Sequence, residues 1–211
     1  MVGALYHLSL GLKLMSVLYS DLLLFFQQFL RHPKELSSVI PSSKSLGDMA
    51  ISAAQLDQAR VIVELGAGLG GITEQILKVK PRDTRFLAIE INEDLIKVAR
   101  KRCPETDLIL GNALHLDTYL SERGEESCDA IISAIPWAVM DSEKQSKLLA
   151  TIYDNLKPGG RFVTLAFLVG LPCPASRRFR EAMSSRFGKT GMTPIVWRNL
   201  PPAVILWGEK E

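Results

Sequence analysis

Two carboxylates and a run of glycines stand in this chain where an adenosine-bearing cofactor could be held. Glu64 follows the apolar stretch Val61-Ile62-Val63, and the loop with Gly66, Ala67, Gly68 and Gly70 comes next. Glycine has no Cβ, so backbone there can turn tightly and approach a ligand closely. A helix beginning just after such a loop aims its free N–H groups at the same crevice. Nicotinamide enzymes and ligand-free turns share that pattern, so the glycines alone decide little. Glu90 closes a second apolar run, Arg85 to Ile89, at 24 positions past Gly66. An acid at the end of such a strand can accept hydrogen bonds from both ribose hydroxyls. A third run, Leu108-Ile109-Leu110, leads to Asn112 and Ala113, where adenine could be read. A fourth, Asp129 to Ile132, ends in Ser133-Ala134-Ile135-Pro136-Trp137.

These groups need a frame that brings several strand ends together. Apolar runs alternate with helix-compatible segments such as Ile72 to Val79, which is the rhythm of a parallel sheet with crossover helices. Leu156-Lys157-Pro158-Gly159-Gly160 then leads into Arg161 to Leu165. In order and in detail, residues 58 to 170 resemble the class I S-adenosylmethionine-dependent methyltransferases, the L-K-P-G-G-R-F-V turn being the most specific piece. The resemblance implies a Rossmann-like α/β fold: a seven-stranded, mostly parallel sheet with helices on both faces. Strands are expected near 61–65, 85–90, 107–111, 129–133 and 161–167, with 194–199 and 203–208 closing the edge as a hairpin. Asn199 to Pro202 forms the turn, since Pro201 and Pro202 cannot donate ladder bonds.

Length and composition agree with one such domain plus an N-terminal addition. The 211 residues are 47% hydrophobic, ample for a core, and no repeat appears. Cys103, Cys128 and Cys173 lack metal-like spacing and read as reduced thiols, and the three histidines form no cluster, so no metal site is expected. The net charge of +2 is unevenly spread: +1 over residues 1–48, −3 over 49–171 and +4 over 172–211. Arg177, Arg178, Arg180, Arg186 and Lys189 carry most of the last excess. Singly they read as a solvated face; together they suggest an anionic partner, phospholipid or nucleic acid.

Residues 1–45 form a distinct segment, with the cofactor-binding domain expected over 46–211. In the first 31 residues only Lys13, Asp21 and Arg31 are charged, and Lys13, Asp21 and the Gln27-Gln28 pair interrupt any membrane span. Ser9, Lys13, Ser16, Ser20, Gln27 and Arg31 keep helical time against a greasy face of Leu22, Leu23, Phe25, Phe26, Phe29 and Leu30. Such a face is covered by the protein's own core, by a dimer partner or by a membrane surface, and the physics leaves these open. Ser42 or Ser43 can cap a helix that follows.

The lead-in Val39-Ile40-Pro41-Ser42-Ser43 and the run Trp197-Arg198-Asn199-Leu200-Pro201-Pro202-Ala203 extend the resemblance to residues 25–207. With them the chain looks like the bacterial phospholipid N-methyltransferases, which methylate phosphatidylethanolamine at the cytoplasmic leaflet through an N-terminal amphipathic helix. The cofactor implied is S-adenosylmethionine. The resemblance places Gly66, Ala67 and Gly68 near its methionine part with Glu64 orienting it, Glu90 and Ile91 at the ribose, and Asn112, Ala113 and Ser133 toward the adenine and acceptor side. Ser133, Ile135, Pro136 and Trp137 would form the acceptor loop, and Trp137 would stack on the ammonium or pack beneath the cleft. Arg198, with Trp197 beside it, would grip the headgroup phosphate or brace the last hairpin as a salt bridge. A protonated amine must lose a proton before attack, for which only His115, Tyr19 and Tyr153 are available. The partners implied are phospholipid and the inner face of the cell membrane, with no nucleic acid. Other readings are an rRNA adenine N6-methyltransferase, whose relatives carry Asn or Asp where Ser133 stands, a small-molecule amine methyltransferase, and a lipid-surface adaptor without activity.

Overall fold

The computed structural model describes residues 43–211. Expectations for residues 1–42, the amphipathic helix and Tyr19 among them, lie outside the described residues. Seven strands form one sheet: β1 (Val61–Leu65), β2 (Arg85–Glu90), β3 (Asp107–Leu110), β4 (Cys128–Ser133), β5 (Leu156–Phe167), β6 (Lys189–Met192) and β7 (Ala203–Glu209). Their order is β3-β2-β1-β4-β5-β7-β6. The first five are parallel, and β7 runs antiparallel to both β5 and β6. The helices are α1 (Lys44–Ala54), α2 (Gly71–Val79), α3 (Glu93–Arg102), α4 (Leu116–Ser121), α5 (Ser142–Asp154) and α6 (Pro174–Arg186).

Strand alternation sorts the core into two layers. Val61, Val63 and Leu65 of β1 pack with Leu116, Leu120, Leu148, Ile152 and Phe179, so α4, α5 and α6 cover that face. Ile62 packs with Leu46, Ala50, Ile72, Ile76 and Ile96, so α1, α2 and α3 cover the other. Glu64 shares the parity of Ile62 and therefore meets α2. Both faces of β1 are buried throughout, as a parallel strand between two helical layers requires.

Ser43 caps α1, its side chain accepting from the Leu46 N–H at 3.3 Å. The helix then lays Leu46, Gly47, Ala50 and Ala54 on the sheet, so the expected boundary between residues 45 and 46 falls inside an element of the domain. The sixth strand also lies elsewhere than expected. β6 occupies 189–192, and 194–199 is a loop that touches the sheet through the single bridge Val196↔Ala203. Pro194 has no N–H to contribute there, and a ladder cannot pass through it. β5 starts at Leu156, five residues before the expected position, because Gly159 at φ 76 lets the chain turn without leaving the sheet. The three cysteines are free and buried. Cys103 Sγ lies 3.7 Å from Gly70 O, Cys173 Sγ 3.7 Å from Ala138 O, and Cys128 Sγ 3.3 Å from Asn155 O. Among the described residues no helix is long and apolar enough to cross a membrane.

Candidate active site

Parallel strands all end on the same edge, and crossovers that diverge there leave a crevice. In this sheet a cavity of about 560 Å³ runs along the ends of β1, β2, β4 and β5. Its floor is the glycine loop. Gly66 and Ala67 both donate to Ile89 O, at 2.8 and 3.1 Å, which fixes the loop to the end of β2. Gly66 and Gly68 have φ of 82° and 55°, a region closed to most side chains. A Cβ at Gly68 would meet nothing within 4 Å, so the backbone is open to the cavity there.

Glu90 lies behind the loop with both oxygens occupied: Oε2 accepts from Gly68 N at 2.8 Å and Oε1 from Asn92 N at 2.8 Å. The carboxylate is thus held in one orientation, with further lone pairs left on each oxygen. Glu64 is 1% exposed. Its Oε2 accepts from Thr73 Oγ1 at 2.6 Å, while Oε1 has no partner. Burial raises this carboxyl to about 8, against the Thr73 hydrogen bond, which lowers it; the nearby Glu90 charge raises it further. An orphaned buried acid of this kind calls for a cationic or hydrogen-bonding partner. Ile91, Ala113 and Leu114 supply apolar wall beyond Glu90. Asn112 lines the cavity too, but its Oδ1 caps the following turn by accepting from Leu114 N at 3.0 Å. An aligned acid, an orphaned carboxyl, an open glycine backbone and an apolar slot fit the ribose, cationic end and adenine of S-adenosylmethionine.

The other half of the cavity is apolar. Ile135, Pro136, Trp137 and Met140 form one wall and Leu165, Phe167 and Phe179 another. Trp137 is 4% exposed and stacks on Phe179, ring centroids 4.2 Å apart at 19°, with Phe162 edge-on at 5.9 Å. It packs beneath the cleft, the blander of its two expected positions. Gln145 Nε2 donates to its carbonyl at 2.6 Å, and Nε1 is buried without a partner. Ser133 is fully buried and absent from the wall: its Oγ accepts from Ile135 N at 3.2 Å and its carbonyl from Thr164 Oγ1 at 3.0 Å. Its part is to shape the loop. Ala134, one residue on, is what faces the cavity.

Trp197 and Arg198 are exposed and lie off the cavity wall. Arg198 has no ion pair among the described residues, so the bracing salt bridge is absent there. The residue between the wall and this loop is Asn199, which the sequence marks only as the start of a turn and gives no part in the site. It is 1% exposed and lines the cavity. Its Oδ1 accepts from Ser43 N at 2.9 Å and its Nδ2 donates to Pro201 O at 2.7 Å. The two sequence motifs that go together, V-I-P-S-S and W-R-N-L-P-P-A, are therefore joined by a hydrogen bond. Lys144 is the cation on the acceptor half, paired with Asp141 at 3.0 Å on the surface. His115 and Tyr153 are not on the wall. Of the C-terminal basic residues, Arg177 pairs with Glu181, Arg180 holds Leu171 O, Arg186 covers the Tyr153 ring, Lys189 pairs with Glu209 and Arg178 is exposed.

Known proteins bear directly on this site. Residues 62–160 match the model of a methyltransferase domain. An ornithine lipid N-methyltransferase of Singulisphaera acidiphila is 30% identical over 186 residues, covering 87% of this chain and 93% of that protein. The chain belongs to the class I S-adenosylmethionine-dependent methyltransferases. The fold of this methyltransferase matches an O-methyltransferase of Bacillus cereus solved with SAH, at a TM-score of 0.65 and 16% identity, over 82% of this chain and 84% of that one. A ribosomal RNA small subunit methyltransferase A of Methanosarcina mazei, described as probable, is 29% identical over 105 residues, 48% of this chain and 35% of that protein. The cofactor of the methyltransferase is S-adenosylmethionine.

Proposed function

We propose that this methyltransferase methylates the headgroup amine of a membrane lipid, phosphatidylethanolamine first, while resting on the cytoplasmic face of the membrane. The observation that carries the reading is the similarity, across 87% of the chain, to an enzyme of ornithine lipid N-methylation. Both lipids present an amine a few bonds from an anionic group, with acyl chains beyond.

Bound S-adenosylmethionine supplies a methyl group on a sulfonium, open to in-line displacement by a lone pair. The chain's own task is alignment and exclusion of water, and alignment alone is worth about 7–11 kcal/mol. Glu90 and the glycine loop hold one reactant rigidly. Pro136, Trp137 and Phe179 make a stiff, water-poor wall for the other, where a protonated amine is disfavoured relative to its neutral form. That environment favours release of the proton to solvent and removes the need for a dedicated base among the wall residues. Lys144, which lines the acceptor half, would meet the headgroup anion within the cavity, and Arg198 would meet lipid phosphate outside it. The adenine reading has less support: Ala134 presents only a methyl group and the Ser133 hydroxyl is buried, so neither side chain can receive a base amine.

The test is methyl transfer from radiolabelled S-adenosylmethionine to vesicles containing phosphatidylethanolamine or ornithine lipid, with purified rRNA in parallel. Label in mono-, di- or trimethylated lipid is expected. Label confined to rRNA, or cofactor binding without lipid label, overturns the reading.

A further inference from the structure

Beside the cavity mouth the loop after Thr193 exposes its largest side chains. Trp197 is 69% and Leu200 77% exposed, the two highest values among the described large apolar residues. Looseness does not explain this, because the loop has a fixed base. Asn199, between them, is buried and bonded to Ser43 and Pro201, and Val196 N donates to Ala203 O at 2.8 Å. That base turns Trp197 and Leu200 outward. Arg198 stands exposed between them with no partner among the described residues. Leu168 N donates to Pro202 O at 2.9 Å, so the loop after β5 lies alongside, adding half-buried Leu168, Val169 and Leu171 and exposed Pro172. Phe167, Gly170, Asn199 and Pro201 all line the cavity, so this patch is its rim.

We propose that the rim formed by Trp197, Arg198, Leu200 and the 168–172 loop is a docking surface for an anionic bilayer, on which the cavity opens directly into the lipid. Trp197 has the amphipathic ring that settles at a membrane interface. Leu200 reaches the acyl boundary, and the Arg198 guanidinium pairs with lipid phosphate, which it matches in shape. Two protruding side chains flanking an exposed cation suit a soft, anionic, apolar-backed surface. The proposal rests on the lipid reading of the acceptor and adds the surface that reads it.

The test uses the full chain and vesicles of phosphatidylethanolamine with phosphatidylglycerol, against vesicles of phosphatidylcholine alone. The Trp197→Ala/Leu200→Ala double variant should lower vesicle partitioning at least tenfold while its calorimetric affinity for S-adenosylmethionine stays unchanged, which shows that it is folded. Arg198→Gln should weaken binding to the anionic vesicles and leave the neutral ones unaffected. In the protein without these changes, Trp197 emission, isolated as the difference from Trp197→Phe, should be quenched by lipids brominated on the acyl chain. Unchanged partitioning, or Trp197 emission untouched by brominated lipid, overturns the proposal and hands the patch to residues 1–42 or to a second copy. Vesicle binding through Trp197 without methylated lipid would keep the surface and remove the lipid acceptor. Lipid methylated at the full rate by the double variant would do the reverse.

Discussion

Glu90 clamps Gly68 N and Asn92 N, and we propose that its remaining lone pairs accept from the cofactor's ribose. Glu90→Ala removes both, and we expect cofactor affinity to fall at least tenfold, about 1.4 kcal/mol. Glu90→Gln keeps one accepting oxygen and should fall between. Calorimetry that finds both variants binding like the parent would contradict this map of the site. Residue types announced this end of the cavity well, because an acid at a strand end and glycines in the left-handed region follow from local chemistry. The acceptor end was less legible. Strand alternation turns Ser133 to the layer of α4, α5 and α6 and puts Ala134 on the wall, and no single-residue signal marks that one-step difference. Trp137 is named by its motif, but whether its ring meets substrate or packs on Phe179 depends on a helix some forty residues later in the chain.

Five parallel strands were readable in the sequence, since each is a short apolar run closed by turn chemistry. In the closing hairpin β7 was readable too, but the strand before it was not, because the apolar segment Ile195-Val196-Trp197 resembles a strand while Pro194 denies it a ladder. The true β6, Lys-Thr-Gly-Met, has no apolar alternation and carries no strand signal. What holds the displaced loop is Asn199, and that contact spans 156 positions in sequence. Asn199→Ala strands the Ser43 N–H and frees Pro201 O, at a cost of about 1–3 kcal/mol for a buried group left without its partner. A melting midpoint lower by several degrees is expected. An unshifted midpoint would mean that the clasp between the lead-in and the loop does not contribute in solution.

Over the whole molecule, Glu64 couples stability to pH. Its folded value of about 8 lies above the ordinary carboxyl value of 4.5, so between those limits the folded protein binds more protons than the unfolded chain. The stability held below 4.5 is lost as pH rises toward 8 and levels off beyond. The cofactor-free protein should therefore melt lower at about pH 8.5 than at about pH 5, by an amount that Glu64→Gln reduces. An identical difference in the variant would remove Glu64 as the cause. The three buried sulfurs offer a separate view of the same molecule. Burial pushes the Cys103 and Cys128 thiols up, and a thiol reagent reacts with thiolate that solvent can reach. Modification of any of them therefore counts openings of the fold. Cys103 sits against the glycine loop, Cys173 against the acceptor wall and Cys128 in the sheet, so labelling rates taken one cysteine at a time would act as three clocks, timing the breathing of cofactor floor, acceptor wall and core independently.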